Sequence, residues 1–214
     1  LSELLINEMF LSIQGESSWA GWPCAFVRTT GCPLRCRWCD TAYAYEQGQT
    51  MAIAQIVSQV LAWGVSLVEV TGGEPLAQVS APELLSALCD QGLTVLLETG
   101  GSLDIAAVDS RVHIILDIKC PSSGMSQRML WTNLELLKPR DEAKFVLADR
   151  QDYEYARQLV EKHKLNSGCQ VLFSTVFGQI EPSQVVAWIL EDRLPVRFQL
   201  QMHKYIWPPE TRGV

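Results

Sequence analysis

Seven short runs of apolar and β-branched residues recur along the chain: AFVRTT (25–30), LVEVT (67–71), TVLLET (94–99), VHIILDI (112–118), AKFVLA (143–148), QVLFST (170–175) and VRFQLQ (196–201). Runs that are nearly continuously apolar belong to strands covered on both faces. Between them the period changes. Ile53, Ile56, Val57, Val60 and Leu61 fall at i, i+3, i+4, i+7 and i+8, the stripe of a helix lying on a sheet. Ser80-Ala-Pro-Glu83 has capping-box spacing, and Gly92 closes the helix it opens. Further helices are predicted around 128–138, 150–163 and 181–191, the last with Val185, Trp188 and Ile189 on one face. Strands separated by helices predict an α/β fold with parallel pairing. Six or seven such units fall short of the eight in a closed barrel. An open or partial barrel and a doubly wound sheet remain, and both gather function at the C-terminal ends of the strands.

Composition narrows the class. With 214 residues, 48% of them hydrophobic, the chain can bury a sizeable core, and neither a repeat nor a linker divides it, so one domain over 1–214 is expected. No apolar run is long enough to span a membrane and the first residues lack a signal-peptide pattern, which predicts a soluble, cytoplasmic protein. A net charge of −7 repels a phosphate backbone, so nucleic acid is not an expected partner. KCPSSGMS at 119–126 reads as one mobile loop. Seven cysteines without secretory features read as thiols. Cys24, Cys89, Cys120 and Cys169 are scattered and are expected to be small buried hydrophobes.

The other three stand together in GCPLRCRWCD, on a loop over 31–41 directly after the first parallel-type strand. Structural zinc usually takes four ligands, yet no second cysteine pair follows, and His113, His163 and His203 have no paired spacing. A disulfide would leave one thiol over. A [4Fe-4S] cluster held by Cys32, Cys36 and Cys39 leaves one iron for a non-protein ligand, which accounts for stopping at three. The glycines of VEVTGGEPL (68–76) end the second strand where backbone can approach a ligand.

The C-x3-C-x2-C spacing with Trp38 before the last cysteine resembles the signature of radical S-adenosylmethionine enzymes, in which the open iron binds S-adenosylmethionine. GGEP resembles that superfamily's clamp on the S-adenosylmethionine ammonium. Ile13-Gln14-Gly15-Glu16, Arg28, Asp40-Thr41 and LQMHKY (200–205) together resemble the 7-carboxy-7-deazaguanine synthase family over essentially the whole chain. The resemblance implies a partly open β6α3 barrel with an N-terminal extension, a homodimer, and an external electron donor such as flavodoxin. It implies conversion of 6-carboxy-5,6,7,8-tetrahydropterin to 7-carboxy-7-deazaguanine with loss of ammonia, a lyase reaction of queuosine biosynthesis. Residue by residue it places Cys32, Cys36 and Cys39 on the cluster, and Trp38, Cys39, Asp40 and Gly73 at S-adenosylmethionine. Asp117, Ile118 and Lys119, with Ser174, Thr175, Val176 and Phe177, are implied as further contacts to that cofactor, and Glu98-Thr99 as facing its ribose. Ile13, Gln14, Gly15 and Thr71 would hold the pterin, Arg28 its carboxylate, and Thr41 Mg2+.

The chain departs from the family pattern twice: Asp117-Ile118-Lys119 stands where Ser-Pro-Lys is frequent, and Ser17 where Gly is frequent. His203 is placed where it could line the pocket, whereas His113, inside an apolar strand, reads as a satisfied core residue. Two rivals have their own signatures. A glycyl-radical activating enzyme would abstract hydrogen from a partner's glycine, and a zinc-binding interaction module would be colourless and indifferent to S-adenosylmethionine.

Overall fold

The computed structural model describes residues 2–214; Leu1, inside the expected 1–214 domain, lies outside the described residues. One sheet organises the chain. Its strands are β1 (Glu3–Ile13), β2 (Pro23–Thr29), β3 (Gln49–Ala52), β4 (Leu67–Gly72), β5 (Thr94–Thr99), β6 (His113–Ile118), β7 (Glu142–Leu147), β8 (Gln170–Thr175) and β9 (Arg197–Phe198), in the order β3-β1-β2-β4-β5-β6-β7-β8-β9. From β2 to β9 every neighbouring pair is parallel, while β1 is antiparallel to both β2 and β3. The order is linear and does not close, so the sheet is open and mostly parallel, as expected.

Helices α1 (Ile53–Ala62), α2 (Ala81–Asp90), α3 (Arg150–His163) and α5 (Pro182–Asp192) cover the outer face; α4 (Leu165–Gly168) and α6 (His203–Ile206) are single turns. Ile56 and Val60 of α1, Leu84 and Leu88 of α2, Tyr153 and Val160 of α3 and Val185 of α5 share one core with Val68, Val70, Leu97, Leu116 and Phe145 of the strands. Each fully buried side chain of this size contributes about 1.5–3 kcal/mol. The inner face has its own smaller core of Cys24, Phe26, Leu67, Leu96 and Ile115, stopped by Phe10 and Trp19. Period-2 alternation therefore divides β4 into Val68 and Val70 outside and Leu67, Glu69 and Thr71 inside.

Several expectations are corrected. Strands β1 and β3 were not foreseen: β1 runs eleven residues as the middle of an antiparallel ribbon, and its burial pattern is irregular. No helix separates β5 from β6. Nor does one form over 128–138, where short 3-10 turns lie at Ser126–Arg128 and Trp131–Leu136. There the Asn133 side chain donates to Gly101 O and Leu103 O and accepts from Ile105 N, which ties the segment to a loop and outweighs its helical pattern. Ser80 makes no side-chain cap bond. The last strand shrinks from 196–201 to β9, because Met202 N–H donates to Gly15 O at 2.9 Å and draws the chain off the sheet edge. The 119–126 segment is anchored: Ser123 is buried with its hydroxyl on Cys120 O at 2.6 Å, and Ser122 binds Asp149 and Asp152. All seven cysteines are free thiols, and the four scattered ones are buried. No helix among the described residues is long and apolar enough to cross a membrane.

A candidate active site at the C-terminal ends of the parallel strands

A cavity of about 730 Å³ opens at the C-terminal ends of β2 and β4–β8. Its lining brings together Ile13, Gln14, Gly15, Arg28, Cys32, Cys36, Trp38, Cys39, Asp40, Thr41, Thr71, Gly73, Glu98, Thr99, Asp117, Ile118, Lys119, Val176, Phe177 and His203. Two expected residues stay out of it: Ser174 and Thr175 are buried in β8, and only the chain beyond the strand reaches the cavity.

The thiols lie part-buried on one wall. Gly31 and Gly73 hold that wall in place. Gly73 N–H donates to Thr29 O at 3.0 Å and Glu74 N–H to Gly31 O at 2.7 Å, so the GGEP turn is laced to the cysteine loop. A Cβ on Gly73 would lie 2.2 Å from Gly31 O, which explains glycine there by close backbone approach. Glu74 then accepts from Leu76 N, Thr99 Oγ1 and Gly100 N at 3.1, 2.8 and 2.7 Å, fastening the turn to β5. Leu34 N–H points at Cys32 Sγ at 3.4 Å, and Thr41 Oγ1 lies 3.7 Å from Cys39 Sγ. Burial holds the Cys32 and Cys36 thiols above their usual range, opposed by the Lys119 ammonium. Among the described residues, no three Cys, His, Asp or Glu side chains converge as the ligands of one metal ion. Three soft donors with no fourth protein ligand suit an iron–sulfur cluster that keeps one iron for an external ligand.

Beneath the thiols the inner face turns ionic. Lys144 Nζ, buried on β7, binds Glu16 Oε2 at 3.0 Å, Glu98 Oε1 at hydrogen-bond contact, and lies 3.7 Å from Asp117 Oδ2, which Lys119 also grips at 2.8 Å. Burial works against the Lys144 charge, but these carboxylates hold its pKa well above the usual value. Burial also opposes ionisation of Glu16, and Lys144 with His203 outweighs it, so that carboxylate sits below its usual range. Glu69 forms no ion pair among the described residues. Burial and the Glu98 charge push its carboxyl up to about 8 against an ordinary 4.5, with the Gln14 amide and the more distant Lys144 charge in opposition. Lys144, Glu69, Glu74, Tyr43 and Tyr45 were missed from the sequence. For Glu69 and Lys144 the signal was present as isolated polar residues within apolar strands; Glu74, Tyr43 and Tyr45 lie on turns, where no strand alternation marks them.

The loop between β1 and β2 crosses the inner face. Gln14 donates to Glu69 and accepts from Glu16 N at 3.1 Å, so much of the amide expected to face a heterocycle is already engaged. Ser18 donates to Glu142 from both its N–H and its hydroxyl, and His113 Nε2 is 3.2 Å from the same Glu142 oxygen, which makes His113 a partnered inner-face residue. Ser17, the residue that departs from Gly, is buried at φ 64 and accepts from Trp19 N at 3.1 Å. The left-handed backbone explains why glycine suits this position, and the hydroxyl offsets part of serine's strain. The C-terminal segment closes over this loop: His203 packs on Gly15, Gln201 donates to Glu16 at 3.0 Å, and Lys204 binds Asp40 at 2.7 Å. Arg28 gives only its Nε, to Glu8 at 2.7 Å; its terminal nitrogens make no hydrogen bond among the described residues.

Comparison with known proteins fits this layout. A family model described as the radical SAM superfamily matches residues 26–122, the span that carries the cysteine loop and GGEP. The chain is 54% identical to a 7-carboxy-7-deazaguanine synthase of Chlorobaculum tepidum, over 99% of this chain and 97% of that one. The chain belongs to the 7-carboxy-7-deazaguanine synthase family. Another 7-carboxy-7-deazaguanine synthase, from Koribacter versatilis, is 44% identical over 98% of this chain and 99% of its own length. In fold the chain is similar to the crystal structure of QueE from Escherichia coli, with a TM-score of 0.78 at 20% identity, covering 94% of this chain and 95% of that one.

Proposed function

We propose that this chain converts 6-carboxy-5,6,7,8-tetrahydropterin to 7-carboxy-7-deazaguanine with release of ammonia, a carbon–nitrogen lyase reaction. The observation that carries the reading is one cavity in which a three-thiol wall faces a buried ionic floor and Arg28. When bound, the cluster and S-adenosylmethionine supply the one-electron chemistry that starts the reaction. Cys32, Cys36 and Cys39 would hold the cluster. Trp38, Asp40, Gly73, Asp117, Ile118, Lys119, Val176 and Phe177, which line the cavity, would border S-adenosylmethionine, and Glu98-Thr99 would face its ribose.

The protein's own part is binding and orientation. Arg28, with Nε fixed on Glu8, keeps its terminal nitrogens for the substrate carboxylate, a planar two-pronged match. Ile13, Gln14, Gly15 and Thr71 would hold the pterin edge; Thr71 already donates to Glu98 at 3.1 Å and so is left as an acceptor. Lys144 compensates the carboxylates around the floor. Thr41 makes no side-chain cap bond and its hydroxyl touches only Cys39 Sγ among the described residues, at 3.7 Å; it would serve Mg2+ alongside substrate oxygens and waters. The protein acts as one cytoplasmic domain, as a homodimer, with a reductant such as flavodoxin. The test is anaerobic turnover with iron, sulfide, reductant, S-adenosylmethionine, Mg2+ and the tetrahydropterin, read by mass spectrometry. Product that vanishes in Cys36→Ala supports the reading; cleavage of S-adenosylmethionine without product refutes the substrate.

A further inference from the structure

One ion pair of the cavity lies beside the thiols rather than beneath them. Asp117, near the end of β6, and Lys119, just past it, line the cavity together with Cys32, Cys36 and Cys39. The connection that follows is laced to the cysteine loop, because Arg37 N–H donates to Ser123 O at 3.1 Å. A Cβ on Gly100 would meet Leu34 of that loop at 3.0 Å, Glu74 at 3.4 Å and Lys119 Cε at 3.7 Å, so the Lys119 stem runs alongside the loop. Lys119 Nζ binds Asp117 Oδ2 at 2.8 Å and no other carboxylate among the described residues. Asp117 Oδ1 is buried and has no hydrogen-bond partner among the described residues, so few donors disperse the charge of this carboxylate. Lys144 stands farther from it, at 3.7 Å, and is shared with Glu16 and Glu98. Glu74, the other carboxylate near the loop, is committed to three hydrogen bonds. Burial holds the Cys36 thiol up; after burial, Lys119 draws it down and Asp117 pushes it up.

We propose that Asp117 and Lys119 are a paired charge control on the iron–sulfur cluster, Asp117 holding its reduction potential down and Lys119 holding it up across their 2.8 Å bridge. This rests on the proposed function. An electron added to a cluster held by three thiolates makes a negative group more negative, so a nearby cation favours the reduced form and a nearby anion the oxidised form. Charges buried beside the thiols are screened far less by salt than charges on the surface. Lys119 by itself would ease reduction, and Asp117 opposes it. Asp117 also stands at one of the two positions where the chain departs from the family pattern, which frequently has Ser there, so the opposing carboxylate is a feature of this chain. In this role neither side chain bonds to iron or gives up a proton; both act through their field.

The experiment is a redox titration of the reconstituted protein without S-adenosylmethionine, using dithionite and dye mediators and reading the paramagnetic resonance signal of the reduced cluster. Wild type is compared with Asp117→Asn, Asp117→Ser, Lys119→Gln and the double variant Asp117→Asn/Lys119→Gln, at matched iron per chain. At one potential near the wild-type midpoint, the ratio of reduced to oxidised cluster should rise at least about fivefold in both Asp117 variants and fall at least about fivefold in Lys119→Gln. In the double variant it should return to within about twofold of wild type, because the two charges leave together. Shifts of the same sign in the Asp117 and Lys119 variants overturn the proposal, since they report a disturbed loop rather than charge. Unchanged ratios in the single variants overturn it too. Loss of iron uptake in every variant, beside normal uptake by wild type, assigns the pair to folding of the loop and equally overturns it. Failure of the wild type to take up iron instead overturns the function on which the proposal stands.

Discussion

Replacing Glu69 by Gln should make the protein more resistant to unfolding at alkaline pH and leave it almost unchanged at acid pH. The carboxyl is 4% exposed on the inner face of β4, accepts from Gln14, and shares the floor with Glu98, whose charge Lys144 already balances. Its pKa of about 8 against an ordinary 4.5 means that below 4.5 the folded and unfolded chains both carry the proton. Between 4.5 and 8 only the folded chain does, so stability falls as pH rises, at about 1.4 kcal/mol per pH unit. Above 8 the loss is complete, with an upper bound of about 5 kcal/mol and a working expectation of about 2–3 once the floor relaxes. The Gln side chain keeps an oxygen for Gln14 and has no proton to lose. Urea denaturation of cluster-free protein, in reducing buffers at about pH 5 and about pH 8, gives the difference between variant and wild type at each pH; other titrating groups cancel in that difference. A difference that is the same at both pH values, within about 0.5 kcal/mol, would refute a proton held on Glu69.

Four further outcomes follow from the same geometry. Lys144→Met leaves Glu16, Glu98 and Asp117 without their shared cation and should cost about 3–5 kcal/mol in urea denaturation at neutral pH, with partial recovery in acid as those carboxylates protonate. Ser17→Ala should be less stable than Ser17→Gly by about 1–2 kcal/mol, since alanine keeps the left-handed strain and loses the Trp19 bond while glycine loses both; the reverse order by thermal denaturation would contradict the strain argument. Gly73→Ala sets a methyl against Gly31 O and should lower iron per chain after reconstitution, beside a stability cost of about 1–3 kcal/mol. Arg28→Lys should raise the KM for the tetrahydropterin far more than it changes the affinity for S-adenosylmethionine, because a single ammonium cannot match two carboxylate oxygens.

The sequence alone determined the local and the covalent. Apolar runs located β4–β8 almost to the residue, helical stripes located α1, α3 and α5, and the spacing of Cys32, Cys36 and Cys39 named the chemistry, because each depends on residues near one another in the chain. Tertiary structure decided what depends on partners far away. The 128–138 pattern gave way to the bonds of Asn133, and β1 became a strand only through β2 and β3 on either side. The ionic floor was equally hidden. Glu16, Glu98, Asp117 and Lys144 lie on four separate segments, one a loop and three of them strands, and meet only in the folded chain. In the low-dielectric interior, proximity of charges sets which are ionised, and no spacing along the chain encodes that proximity.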